Sequence, residues 1–204
     1  MAKPIQEQLG ESIIKAIHAF AEADMVTSHE IEATYLFHIS DPKFRTSLAE
    51  TLFGARWIYK LGLVLLVENE KQMAHVRAQL IDYCSVCEGV LSDMIFHGVI
   101  NNHFNGQCFR FHDFKKLNHP LDWSAAKRQK TIGTRSFAWL LAVAHEEKII
   151  TKLLYDSLDW LRKERNAVHL RARSFHAYLD KSHSAFHHMR DLFKQTQVWK
   201  HQHP

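Results

Sequence analysis

One short stretch, Leu161-Arg162-Lys163-Glu164-Arg165-Asn166-Ala167-Val168-His169-Leu170, holds side chains whose types and spacing suit phosphodiester chemistry. On a helix, Arg162, Arg165 and His169 stand at i, i+3 and i+7 and share a face, with Asn166 at its edge. A neutral imidazole takes a proton from a ribose 2′-hydroxyl, and an imidazolium returns one to the leaving oxygen. A guanidinium grips a phosphate with two parallel hydrogen bonds and stabilises charge building on its oxygens. The Asn166 amide is placed to orient either group. None of these steps needs a metal or a cofactor. A plainer reading uses the same letters: a helix end where Arg and His side chains meet the last carbonyls and Asn166 turns the chain.

These residues must be positioned by helices, because apolar residues recur at helical spacing through most of the 204 residues. Ile5, Leu9, Ile13, Ile17 and Phe20 form a first stripe ending near Asp24. Thr27 and Glu30 have capping-box spacing and predict a short helix through Ile31, Tyr35 and Ile39. Asp41-Pro42 pairs an N-cap with proline at the first helical position. It opens a helix carrying Phe44, Leu48, Leu52, Ala55, Tyr59 and Leu63 on one face. A further long stripe runs through Val76, Leu80, Tyr83, Cys87, Leu91 and Met94. The pattern breaks over 101–135, where Asn105-Gly106 and His119-Pro120 are turn signals. A hairpin across Cys108–Phe111 and a plain loop fit that stretch equally well. Helical spacing then resumes at Phe137, Leu154–Val168 and Phe175–Phe193. The expectation is an all-α helical bundle of six or seven helices. Seven Gly and four Pro in the whole chain exclude a loop-rich sandwich.

Charge is segregated along the chain. Residues 1–34 hold six acidic and two basic residues, whereas 101–135 hold seven basic and two acidic ones. Lys127, Arg128 and Lys130 in the second segment, with Arg171 and Arg173 beyond the Arg/Asn/His stretch, flank the candidate site with positive charge. Such flanks serve as solvated helix ends, or as contacts for an anionic partner such as RNA. The longest apolar run, Leu61–Val67, is too short to span a bilayer, and no signal core precedes it. A soluble protein of the reducing cytoplasm, with no membrane partner, is expected.

The run Arg165-Asn166-Ala167-Val168-His169-Leu170, near the end of the penultimate helix of an all-α domain, resembles the HEPN superfamily (higher eukaryote and prokaryote nucleotide-binding). The resemblance covers residues 72–197. It implies a HEPN-like helical bundle; outside the resemblance, 1–70 reads as an N-terminal helical extension packing on the bundle and 198–204 as a tail. It also implies a homodimer whose two motifs meet across an RNA-cleaving cleft. The implied activity is that of a metal-independent endoribonuclease, often part of a toxin–antitoxin or defence system with a cognate protein partner. In that reading His169 is the general acid/base, Arg162 or Arg165 holds the scissile phosphate, and Asn166 orients it. The product would be a 2′,3′-cyclic phosphate. Three residues separate Arg165 from His169, one fewer than the family pattern, while six separate Arg162 from His169. The departure leaves room for a second reading, a non-catalytic dimer that binds RNA, a nucleotide or a protein.

Two further groupings resemble metal ligands. Cys84-x-x-Cys87 with Cys108 and His112 has zinc-like composition, although both first cysteines lie beside an apolar stripe, where thiols act as small hydrophobes. Asp180, His183, His187 and Asp191 share a face of the last helix. A solvated polar face explains them as well, as does a border on the Arg/Asn/His site. No metal is assigned to either grouping. Most of the 16 histidines have no role in this reading.

Overall fold

The computed structural model describes residues 9–104, 111–112, 115–116, 128–167 and 179–204. Eight helices are seen among them: α1 (Glu11–Glu22), α2 (Ser28–Thr34), α3 (Pro42–Val64), α4 (Asn69–Ile100), α5 (Arg128–Gly133), α6 (Phe137–Glu146), α7 (Lys152–Ala167) and α8 (Leu179–Gln202). A two-residue antiparallel pair sits between α4 and α5, with Phe111 opposite Lys116 and His112 opposite Lys115. The helical-bundle expectation holds, with α5 as a short addition to the six or seven helices expected from periodicity and with α2 ending at Thr34, short of Ile39.

Local chemistry sets several of the boundaries. The Thr27 hydroxyl accepts from the Glu30 amide at 3.2 Å, and the Glu30 carboxylate accepts from the Thr27 amide at 2.8 Å. This reciprocal cap satisfies two amides that the helix itself leaves open. Asp41 caps α3 by accepting from the Lys43 amide at 2.9 Å, with Pro42 following. Ser136 caps α6 through the Trp139 amide.

The organising element is α4. Its 32 residues extend about 48 Å. From Tyr83 onward it is apolar on nearly every side: Tyr83, Cys84, Val86, Cys87, Val90, Leu91, Met94 and Ile95 are all fully buried. α4 packs against α3, α5, α6, α7 and α8. α3 runs antiparallel to it, since His75 bonds the Ile58 carbonyl at one end while Gly89 meets Leu48 and Phe44 at the other. The approach at Gly89 is close: a Cβ there would lie 2.6 Å from Leu48 Cδ2. α8 runs parallel to α4, with Ser182 donating to Gln79 near its start and His97 bonding the His203 carbonyl near its end. α7 returns antiparallel along α8 through Thr151–Gln195, Trp160–His188 and Glu164–Lys181.

The expected division at residue 70 is not marked by a separate core. Ile31, Leu36, Ile39, Leu48, Ala49, Leu52 and Ala55 belong to the same buried cluster as α4, α6, α7 and α8. The stripe on α4 needs the one on α3 to cover it. The expected tail from 198 is likewise helix through Gln202, with Trp199 buried and His203 stacked on its ring at 4.6 Å. Among the described residues, α1 is the helix that keeps much of its apolar stripe in solvent. It packs on α3 through Ala21 and a His18–Trp57 ring contact, while Leu9, Ile13 and Phe20 stay exposed. Among the described residues no helix is long and apolar enough to cross a membrane.

A buried polar node joins the α2–α3 connection to α4 and α8. The Lys200 ammonium donates to the His38 carbonyl and to Ser40 Oγ at 2.6 Å, and lies 3.6 Å from Asp93 Oδ2. Asp93 also accepts from the Ser40 amide at 3.3 Å, and His38 Nε2 lies 2.9 Å from Thr196 Oγ1. Burial, with the Lys200 charge alongside, pulls the His38 imidazole down to about 4.

Two predictions follow from this packing. Leu52→Ala is expected to cost about 2–5 kcal/mol in a single cooperative urea transition, because its site belongs to the common core; a separate early transition would restore the boundary at 70. His38 binds its proton in the unfolded chain near 6.5 but in the folded chain only near 4. Its contribution is therefore complete above pH 6.5 and lost as pH falls toward 4, by about 3 kcal/mol. Urea titrations of the wild type and His38→Asn at pH 7 and 4.5 measure it as the difference in slope between the two proteins.

Candidate functional site

α7 carries the Arg/Asn part of the predicted cluster on its last two turns. Its apolar stripe, Leu154, Leu158 and Leu161, is buried as the spacing predicts. This fixes the helix rotation: Arg165 continues the buried stripe toward α4, Arg162 lies at its edge, and Asn166 turns to solvent. Asn166 is exposed, and the two arginines are partly exposed.

Each guanidinium is already held by a carboxylate. Arg162 donates to Asp159 Oδ1 from Nε at 2.8 Å and from Nη2 at 2.7 Å, while Lys163 reaches Asp159 Oδ2 at 2.7 Å. Burial works to raise the Asp159 carboxyl, but the bonds from Lys163 and Arg162 outweigh it and hold it below the usual carboxylate range. Arg165 Nη2 donates to Glu88 Oε2 at 2.9 Å, a contact that reaches across to α4. Here the balance is reversed. Burial lifts the Glu88 carboxyl above its usual range, and the Arg165 charge offsets only part of that lift. Glu88 also lines a cavity of about 510 Å³ with Ser40, Phe44, Ser92, Asp93 and Arg135. It therefore stands between that cavity and the arginine. Glu164, on the same turn, holds Lys181 at 2.6 Å and closes the α7 end onto α8.

His169, Arg171, Arg173 and Lys127 lie outside the described residues, as do Val168 and Cys108. Arg128 begins α5, and Lys130 on the same helix is exposed. The structure thus brings Arg162, Arg165 and Asn166 together, and adds Asp159 and Glu88, neither of which the sequence reading had singled out. Asp159 stands at i−3 from Arg162, a spacing that was there to be found. Glu88 lies 77 residues from Arg165 and leaves no such signal.

Of the first metal-like grouping, Cys108 lies outside the described residues. Cys84 and Cys87 are fully buried in the core. Burial pushes the Cys84 thiol up to about 12 and the Cys87 thiol well above its ordinary range, so both are protonated hydrophobes. On α8, His183 Nε2 is 2.8 Å from the Tyr59 hydroxyl, and Asp191 is paired with Lys194 at 2.9 Å. Among the described residues, no group of three His, Cys, Asp or Glu is arranged to hold a metal ion.

Comparison with family models, with curated proteins and with solved structures finds no match for this chain.

The Arg165–Glu88 pair has a measurable signature. Arg165→Gln removes the charge that partly offsets burial, so the Glu88 carboxyl is expected to titrate at still higher pH. Its folded value then lies further above the unfolded one, so stability falls more as pH rises through that window. Carboxyl NMR of Glu88 in the two proteins checks this, and an unmoved midpoint would show that the pair is not formed in solution.

Proposed function

We propose that the protein is a metal-independent endoribonuclease of HEPN type, acting as a homodimer of the cytoplasm. The observation that carries this reading is the C-terminal end of α7, where Arg162, Arg165 and Asn166 are gathered within two turns just ahead of His169. Carboxylates orient both guanidiniums, yet each retains donors and some solvent access. In this mechanism His169 removes the proton from a ribose 2′-hydroxyl. The 2′-oxygen attacks the adjacent phosphorus, and the bond to the 5′-oxygen breaks as that oxygen gains a proton. Arg165 or Arg162 stabilises the charge on the non-bridging oxygens, and Asn166 orients the phosphate. Lys127, Arg128, Lys130, Arg171 and Arg173 supply salt-sensitive contacts along the RNA backbone. A toxin–antitoxin or defence setting with a cognate protein partner is consistent with this chemistry.

A specific observation supports a second reading. With Arg162 committed to Asp159 and Arg165 to Glu88, phosphate must compete with carboxylates already in place. A helical dimer that binds RNA, a nucleotide or a protein without cleaving needs no such exchange.

Purified protein incubated with mixed RNA in EDTA separates the two. The first reading expects cleavage to 2′,3′-cyclic ends, reduced about 10²–10⁴-fold in His169→Ala. The second expects binding that weakens steeply with salt and no turnover. Equal cleavage by wild type and His169→Ala would remove the catalytic assignment.

A further inference from the structure

Away from α7, the seam between α3 and α8 gathers positive charge around a single aromatic ring. Arg56 Cζ lies 4.4 Å from the centroid of Phe186 and 4.9 Å from that of Tyr59. Arg190 Cζ lies 5.9 Å from Phe186 and 5.9 Å from Tyr35. The two guanidinium carbons are therefore no more than about 10 Å apart. On α8, His183, Phe186, His187 and Arg190 stand at i, i+3, i+4 and i+7 and form one stripe. His183 is exposed and tied to the Tyr59 hydroxyl, and the exposed His187 ring lies 6.3 Å from Phe186. Two guanidiniums, two imidazoles and a phenol thus converge on one place.

Negative charge does not meet them. Arg45, Arg162 and Arg165 each have a carboxylate partner. Among the described residues none lies within ion-pair distance of Arg56 or Arg190, and the stretch 168–178 leading into α8 contains no Asp or Glu. Arg190 Nε is shut off from solvent with no hydrogen-bond partner. Aromatic faces attract a cation but do not neutralise it. Two partly buried guanidiniums sharing a ring repel one another unless an anion sits between them. Guanidinium forks match the tetrahedral oxygens of a phosphate, and a carboxylate would need only one of the two.

We propose that Arg56 and Arg190, with His183, His187 and Tyr59, form a binding site for a phosphate group. The group belongs either to a small phosphate ester or to a nucleic-acid backbone. The site lies on the α3 side of α8, whereas α7 contacts α8 through His188 and Lys181. It operates independently of cleavage at α7.

The test follows the thermal midpoint of the full-length chain in inorganic phosphate against sodium chloride at equal ionic strength. A saturable rise in phosphate alone is expected. Arg56→Gln and Arg190→Gln should each weaken apparent phosphate affinity at least fivefold, and His183→Gln by a smaller factor. Without phosphate, either arginine variant should melt no lower than the wild type, because a repulsive charge has been removed. A DNA oligonucleotide lacking terminal phosphates identifies the source: competition assigns a backbone phosphate, and its failure beside competition by a phosphate monoester assigns a small ligand. Identical midpoints in phosphate and chloride would overturn the proposal. So would arginine variants that melt lower yet keep the full response to phosphate, since that marks a purely structural role.

Discussion

A helix that is apolar nearly all round has to be enclosed, and the enclosure of α4 dictates where everything else goes. α3, α6, α7 and α8 supply the walls, each turning one stripe inward. Burial on this scale also strands polar groups on α4, and the partners that rescue them fix the register of α8. Gln79 is met by Ser182, Asp93 by Lys200, and His97 by the His203 carbonyl. Apolar contact alone tolerates a helix sliding by a turn. Three polar matches spread along the same seam do not, because a slip would leave each of them unsatisfied.

The same economy of charge explains the α7 site. A cation drawn partly out of water needs a partner, and Asp159 and Glu88 supply it within reach of solvent. The two differ in character. Asp159 is a local holder with two cations on it and its carboxyl held below the usual range, whereas burial lifts the Glu88 carboxyl above it and the single Arg165 charge offsets only part of that lift. In the proposed reaction, Arg165 is the guanidinium that a phosphate would recruit, with Arg162 staying on Asp159.

Much of the scaffold was legible in the chain. Thr27 with Glu30, Asp41 with Pro42, and the stripes of α4 and α7 are local patterns, and local hydrogen bonding and periodicity decide them. How closely residues 28–64 share the core of the later helices was not legible, because a stripe says that a face is buried and not what buries it. Trp199 belongs to α8 and not to a tail, and its burial is hard to read because the polar Thr196 stands between it and Phe193 on the buried face. Glu88 beside Arg165, Phe186 beside Arg56 and Lys200 beside Asp93 come from elements 77 or more residues away, and no spacing rule encodes them. For the candidate site, the positions on α7 were legible and their electrostatic state was not.

The paired thiols of α4 have a consequence for following the molecule's motions. Cys84 and Cys87 sit one turn apart at the centre of the bundle, protonated and sealed from water. A thiol reagent reaches them only when the walls around α4 part. With Cys108 replaced, the pace of their modification becomes a clock for that opening, read without adding a label to the interior. The equilibrium cost of parting α4 from its neighbours follows from the ratio of that pace to the rate of an unprotected thiol.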